Sequence, residues 1–226
     1  MTGHVTSNVT GNVTGKMTSG YFVTGTDTNV GKTVLSALLV AALDAMYWKP
    51  VQTGASEGTD RESVHTWAEI SEDLLPLERY RLDPPVSPHL ASREAGIQIS
   101  LQDFELPDAP AGRKWIVEGA GGVMVPLNER DLMLDLMRQT GFPVIIATRT
   151  SLGTINHTLL TLAALRNARL PVHGVVLIGD ENIENRRAIE HYGSARIIGH
   201  IPMLARINRA ALLDVYENHF DHQAFS

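Results

Sequence analysis

Gly25-Thr26-Asp27-Thr28-Asn29-Val30-Gly31-Lys32-Thr33 is the stretch on which the reading of this chain turns. The β-type run Tyr21-Phe22-Val23-Thr24 leads into it, and an apolar helical run, Val34 to Leu43, leads out. Strand, glycine-bearing turn and helix make up the setting in which a phosphate-binding loop works. The N–H groups of such a turn and of the helix start point at one spot, and the helix dipole favours an anion there. Lys32 would set its ammonium on the outer phosphates, and the Thr33 hydroxyl would face the magnesium that travels with them. Gly25 and Gly31 stand one residue further apart than in the usual pattern, with Thr26 where the first loop residue falls. The competing reading is an ordinary strand-to-helix turn that carries Gly-Lys-Thr.

Outward from the loop, β-type and helical runs alternate. Tyr47-Trp48-Lys49-Pro50-Val51 reads as one short strand ended by proline, and Asp60 opens a helix with Val64, Trp67, Ala68 and Ile70 on its apolar face. Ser87-Pro88-His89 reads as a cap and first turn, and Asp108 to Gly112 as a loop. Trp115-Ile116-Val117 is a buried-type strand, followed by Glu118-Gly119-Ala120-Gly121-Gly122 as a glycine-rich turn. Strands at Pro143 to Thr148, Val172 to Ile178 and Arg196 to Ile201 then alternate with helices at Asp131 to Met137, Thr154 to Leu165, Asn182 to Tyr192 and Ile207 to Phe220. The apolar runs are continuous rather than alternating. This pattern predicts a single-domain α/β fold of the phosphate-loop NTPase kind, a mostly parallel sheet with helices on both faces.

The 226 residues suffice for one such domain, and 43% of them are hydrophobic. A net charge of −6 supplies no general basic field for nucleic acid, so an anionic ligand must be held by local devices. The absence of cysteine excludes disulfides, thiolate metal sites and a cysteine nucleophile, and fits a cytoplasmic protein. No apolar run approaches the length of a membrane span. Residues 1–17 repeat Val-Thr with Ser, Gly and Asn, which predicts a low-complexity extension, disordered or foreign to the native chain, before a domain spanning 18–226.

Ligands of an open parallel sheet sit at the carboxyl ends of the strands. The residues expected there are Gly25 to Thr33, Lys49, Glu118 to Gly122, Thr148 to Gly153 and Ile178 to Asp180. Thr33, Asp60 and Glu118 offer three oxygen ligands suited to magnesium, a hard cation that keeps water and phosphate oxygens as its other partners. Lys49 adds a second cation where charge on a transferring phosphoryl group needs stabilising. Each has a plainer reading: Asp60 as a helix cap, Glu118 as an exposed strand-end acid, Lys49 as a solvated lysine. His89 reads as a hydrogen-bonded structural residue.

Together the blocks resemble a known family. They are the loop at Gly25, Trp48-Lys49-Pro50-Val51-Gln52-Thr53-Gly54, Ser87-Pro88-His89, Glu118-Gly119-Ala120-Gly121-Gly122 with Pro126-Leu127, and Leu152-Gly153-Thr154-Ile155-Asn156-His157. In this order, from about Tyr21 to Leu204, the chain looks like a dethiobiotin synthase, and the long loop spacing is itself a feature of that family. The resemblance implies ATP-dependent carboxylation and ring closure of 7,8-diaminononanoate with CO₂ (or bicarbonate), giving dethiobiotin, ADP and phosphate through a carbamate and a carbamic–phosphoric anhydride. It implies Mg²⁺ at Thr33, Asp60 and Glu118, and Lys32 and Lys49 as the catalytic cations. Nucleotide contacts are implied at Asn29, Val30, Gly31, Lys32, Thr33, Val34, Asp60, Glu118, Gly119, Ala120, Gly121, Pro202, Met203 and Leu204. Substrate contacts are implied at Thr28, Thr53, Gly153, Thr154 and Asn156. The last three would serve a neighbouring subunit, so the resemblance implies a homodimer.

Two positions depart from the family. Asn29 stands where glutamate is common. An asparagine that reads adenine at the end of a late strand has no counterpart in Val175-Val176-Leu177-Ile178-Gly179-Asp180, which predicts looser nucleotide selectivity. A different class remains in view, a dimeric phosphate-loop ATPase switch of the partitioning or septum-positioning type. Such switches carry an extra lysine early in the loop, and Thr24 to Thr28 has none.

Overall fold

The computed structural model describes residues 19–106, 110 and 112–226. The expected N-terminal extension lies outside them, and so does part of the loop at Asp108 to Gly112.

In chain order the elements are β1 (Gly20–Gly25), α1 (Lys32–Leu43), β2 (Met46–Trp48), β3 (Val51–Gln52), α2 (Asp60–Ala68), β4 (Tyr80–Arg81), α3 (Pro88–Glu94), β5 (Trp115–Gly122), α4 (Met133–Thr140), β6 (Val144–Arg149), α5 (Thr154–Asn167), β7 (Val172–Ile178), α6 (Ile183–Gly193), β8 (Ile197–Ile201) and α7 (Arg209–His219). Six strands form one sheet in the order β2-β5-β1-β6-β7-β8, and every pairing in it is parallel. Parallel strands need crossovers, and right-handed crossovers set the faces. The chain steps one way from β1 to β2 and the other way from β6 through β7 to β8. Accordingly α1 packs with α2 and α7 on one face, and α5 packs with α6 on the other.

With both faces covered, the strands can be apolar throughout. All six residues of β1 are buried, and Phe22, Val117, Ile145 and Val176 are fully enclosed. Leu35, Leu38 and Leu39 of α1 are likewise at 0% exposure. Burial of such a side chain stabilises the fold by roughly 1.5–3 kcal/mol.

Two expectations are corrected. The stretch Tyr47 to Val51 is not one strand. Pro50 has no N–H for a ladder, and the chain leaves the main sheet there. Residues before it pair with β5, and Val51–Gln52 pairs with β4 in a separate two-stranded sheet. Glu118 to Gly122 is not a turn but the second half of β5. Its glycines serve close packing: a Cβ on Gly119 would meet Phe22 Cε1 at 2.9 Å, and one on Gly122 would meet the Gly25 carbonyl oxygen at 3.2 Å.

Candidate active site

β1 lies between β5 and β6, where the direction of strand order reverses, and a crevice opens at its carboxyl end. The loop after β1 fills it. Asn29 adopts a left-handed conformation with φ 54°. Gly31, the residue before α1, has φ 100°, and a Cβ there would meet Ile178 Cδ1 at 2.7 Å, so only glycine fits. Lys32 is folded back over the loop and donates through Nζ to the Asp27 carbonyl oxygen at 3.0 Å.

Beside the loop sits a cluster of charges. Thr33 Oγ1 lies 2.8 Å from Asp60 Oδ1 and 3.1 Å from Glu118 Oε1. Lys49 follows β2, and its Nζ reaches Asp60 Oδ2 at 2.6 Å. The same ammonium reaches Glu118 Oε1 and the Gly119 carbonyl oxygen, each at 3.1 Å. All three ammonium donors are used, which overturns the reading of Lys49 as solvated. Asp60 is not the helix cap either. Thr59 takes that position, its hydroxyl accepting from Glu62 N while its N–H donates to Glu62 Oε2. The Asp60 carboxylate is thereby left for the cluster. Glu118, read also as an exposed strand-end acid, is fully enclosed.

The charges hold one another's protonation. Burial works to lower the Lys49 pKa, but Glu118 and Asp60 outweigh it and raise it above the ordinary lysine value. Burial works to raise that of Asp60, and Lys49 outweighs it in turn, so this carboxyl titrates below its usual value. Lys32 has no such partner. Burial, reinforced by the Lys49 charge and opposed by Glu118, Asp60 and Asp27, lowers its pKa to about 8.

Among the described residues no group of three or more His, Cys, Asp or Glu forms a metal cluster. A hard divalent cation can still be matched to the Thr33 hydroxyl and the two carboxylates. These are oxygen donors already in mutual contact, and phosphate and water would complete the shell.

The loop divides two cavities. One, of about 370 Å³, is lined by Thr28, Lys32, Thr33, Lys49, Thr53, Asp60, Glu118, Ala120 and Gly121. The other, of about 440 Å³, lies between the loop and the ends of β7 and β8, with Val30, Val34, Gly179, Pro202, Met203 and Leu204 in its wall. Asn29, Gly31 and Val34 border both. Gly153 and Asn156 join neither cavity and stand exposed at the start of α5. Thr154, between them, is buried and bonded within the protein. Its hydroxyl lies 2.9 Å from Thr148 Oγ1 and donates to the Arg149 carbonyl oxygen. Its N–H donates to Ser151 O.

Sequence reasoning missed Tyr47 and Gln52, and held Arg149 only as an unnamed member of the strand-end stretch Thr148 to Gly153. Gln52 Oε1 accepts from Asp60 N at 3.0 Å and so fixes the start of α2. Tyr47 OH donates to Glu118 Oε2 at 3.1 Å, so one oxygen of Glu118 is held from behind while the other faces Thr33 and Lys49. Burial and the charges of Glu118 and Asp60 push the Tyr47 hydroxyl well above its ordinary pKa, which keeps it a donor. Strand alternation was the available signal, because it puts Tyr47 on the face that Lys49 continues. Tyr47→Phe removes one partner from a buried carboxylate. A loss of about 2 kcal/mol in urea-induced unfolding is expected, and an unchanged midpoint would refute the role.

Known proteins share much of this sequence. The profile of a family described as an AAA domain matches residues 19–211. ATP-dependent dethiobiotin synthetase BioD of Rhodopseudomonas palustris strain BisB5 is 46% identical over 209 residues, covering 92% of this chain and 98% of that protein. The chain belongs to the dethiobiotin synthetase family. The family's enzyme from Agrobacterium fabrum is 45% identical, with 91% of this chain and 96% of the relative covered. That from Paramagnetospirillum magneticum is 47% identical, with 85% and 92% covered. Among solved structures, a ParA family ATPase from Chlorobium tepidum TLS aligns with TM-score 0.47 at 14% identity, covering 89% of this chain and 93% of that one. No helix among the described residues is long and apolar enough to cross a membrane.

Proposed function

We propose that the chain converts 7,8-diaminononanoate, CO₂ and ATP to dethiobiotin, ADP and phosphate. One amine of the substrate takes up CO₂ as a carbamate. A carbamate oxygen attacks the γ-phosphorus and ADP leaves, giving a carbamic–phosphoric anhydride. The second amine attacks the anhydride carbon, phosphate departs, and the cyclic urea closes. Every step moves negative charge on oxygen, so stabilising that charge is the main demand on the protein.

One arrangement carries this reading: Lys32, Lys49, Thr33, Asp60 and Glu118 line a single cavity beside a phosphate-type loop. Thr33, Asp60 and Glu118 would hold Mg²⁺, which when bound offsets charge on the outer phosphates. Lys32 holds the β- and γ-phosphates, with the N–H groups of Asn29 to Val34 around them. Lys49 must give up at least one of its present partners to reach a carbamate or phosphoryl oxygen. Thr28 and Thr53 flank the reacting end of the diamine, and Gly119 to Gly121 border the nucleotide. Gly153 and Asn156, on either side of the internally bonded Thr154, serve the far carboxylate of a partner subunit's substrate. In support, the Gly153 to Asn156 turn is a helix start, and the neighbouring Leu152, Met124 and Leu160 side chains are exposed. The working unit is therefore a cytoplasmic homodimer.

The test is direct. The protein is given bicarbonate and MgATP with and without the diamine, and ADP is followed. Release that depends on the diamine, with dethiobiotin formed, is expected; ADP release indifferent to the diamine would overturn the assignment.

The base sits in the second cavity, against Pro202, Met203 and Leu204. Gly179 at its edge has φ 127°, and a Cβ there would meet Thr150 Oγ1 at 2.6 Å. Its N–H donates to Ile201 O, and its carbonyl lies 2.7 Å from His200 Nε2. Gly179 thus offers the base edge neither a side chain nor a free N–H. We expect kcat/KM for GTP and CTP to fall within about tenfold of that for ATP, whereas a site that hydrogen-bonds the base would discriminate far more strongly. A preference for ATP above a hundredfold, roughly, would sink this expectation.

A further inference from the structure

Arg149 ends β6 at the lip of the second cavity. Its Nη2 donates to the Thr28 carbonyl oxygen at 3.0 Å and to that of Asn29 at 3.3 Å. With Lys32 on the Asp27 carbonyl, three consecutive loop carbonyls are each held by a cation. A peptide unit is planar and trans, so its N–H points opposite to its C=O. The peptide whose oxygen is Thr28 O carries the N–H of Asn29, and the next carries that of Val30. A guanidinium on the two oxygens therefore turns these N–H groups away from itself. It also strengthens them as donors, because a cation at the carbonyl end polarises the amide. The turn needs such a hold, since Asn29 is kept in a left-handed conformation beside the left-handed Gly31.

We propose that Arg149 is a positioning residue for nucleotide binding: it fixes the Thr28–Asn29–Val30 peptides so that their N–H groups meet the phosphates. The inference rests on the nucleotide site proposed above and deepens it. Arg149 acts through the loop, so its contribution is independent of the base.

Binding of ADP and of inorganic tripolyphosphate, which has no base, is measured by calorimetry and by competition, alongside steady-state kinetics. Arg149→Met is expected to weaken ADP and tripolyphosphate alike by about tenfold. KM for ATP rises in step, while KM for the diamine and the melting temperature hold. Arg149→Lys, which keeps the charge without the planar fork, falls between native and Met. Unchanged ADP affinity in Arg149→Met overturns the inference. So does a loss confined to ADP, or a failure of tripolyphosphate to compete in the native protein. A fall in melting temperature with both KM values rising together marks a general structural role and overturns it too. ADP binding is read without the diamine. A protein that binds ADP in this Arg149-dependent way yet ignores the diamine would discredit the proposed reaction and leave this inference standing.

Discussion

Lys49→Ala is expected to lower kcat by about a thousandfold while ADP still binds. The side chain is 4% exposed and is the counter-ion of two carboxylates that share the Thr33 hydroxyl. Without it, Asp60 and Glu118 face each other uncompensated, so a stability loss on the order of 3–5 kcal/mol accompanies the loss of turnover. The two effects separate by pH. Asp60 is held below its ordinary value of 3.8, so its contribution is present above that pH and is lost as pH falls through the folded value. Lys49 is held above 10.5, so its contribution is present below that pH and is lost as pH rises through the folded value. The stability gap between native protein and variant should therefore be widest between these limits and close below about pH 4. Chemical denaturation across pH reads the gap, and single-turnover ADP formation on the folded variant reads the chemistry. Turnover within tenfold of native would remove Lys49 from its role.

Lys32→Met is expected to weaken ADP binding by roughly a hundredfold or more without destabilising the fold. Its pKa of about 8 lies below the ordinary 10.5, so burial of the charged form costs stability at every pH below about 8, and that cost is relieved as pH rises. Replacement by an apolar side chain of similar length removes the cost along with the charge. The same depressed pKa makes binding pH-dependent. Above pH 8 part of the free protein carries neutral Lys32, and a phosphate beside it draws a proton back. Calorimetry in buffers of different ionisation enthalpy should record proton uptake on ADP binding above pH 8, and Lys32→Met should lose it. Proton uptake of equal size in both proteins would refute the assignment.

Much of this was legible in the residues. Gly-Lys-Thr between a β-type run and an apolar helix defines a local structure whose chemistry depends on backbone conformation and near neighbours alone. Continuous apolar strands of Val and Ile require cover on both faces, hence a parallel sheet with helices on each side. Thr33, Asp60 and Glu118 could be grouped by strand-end logic although 85 residues separate Thr33 from Glu118.

Other features depended on packing. Glu118 to Gly122 has the composition of a turn, yet it stays in the sheet, with an irregularity at the left-handed Gly121, because β1 supplies ladder partners at Glu118 and Gly122 and Phe22 leaves no space for a Cβ on Gly119. Thr154 looked available on a helix start, but the Thr148 hydroxyl beneath it gave its oxygen a partner inside. Arg149 carries no motif, and its value comes from lying opposite carbonyls far away in the chain.

The sequence by itself determined the loop, the layered α/β fold and the set of charged residues, because these rest on local conformation and on the hydrophobic period. Only the tertiary structure decided how those charges pair: Lys49 between Asp60 and Glu118, Tyr47 behind Glu118, Arg149 on the outside of the loop. Such pairings follow from the ångström-scale distances at which separate strands meet. Electrostatic and hydrogen-bond energies change steeply over those distances, and residue order does not encode them.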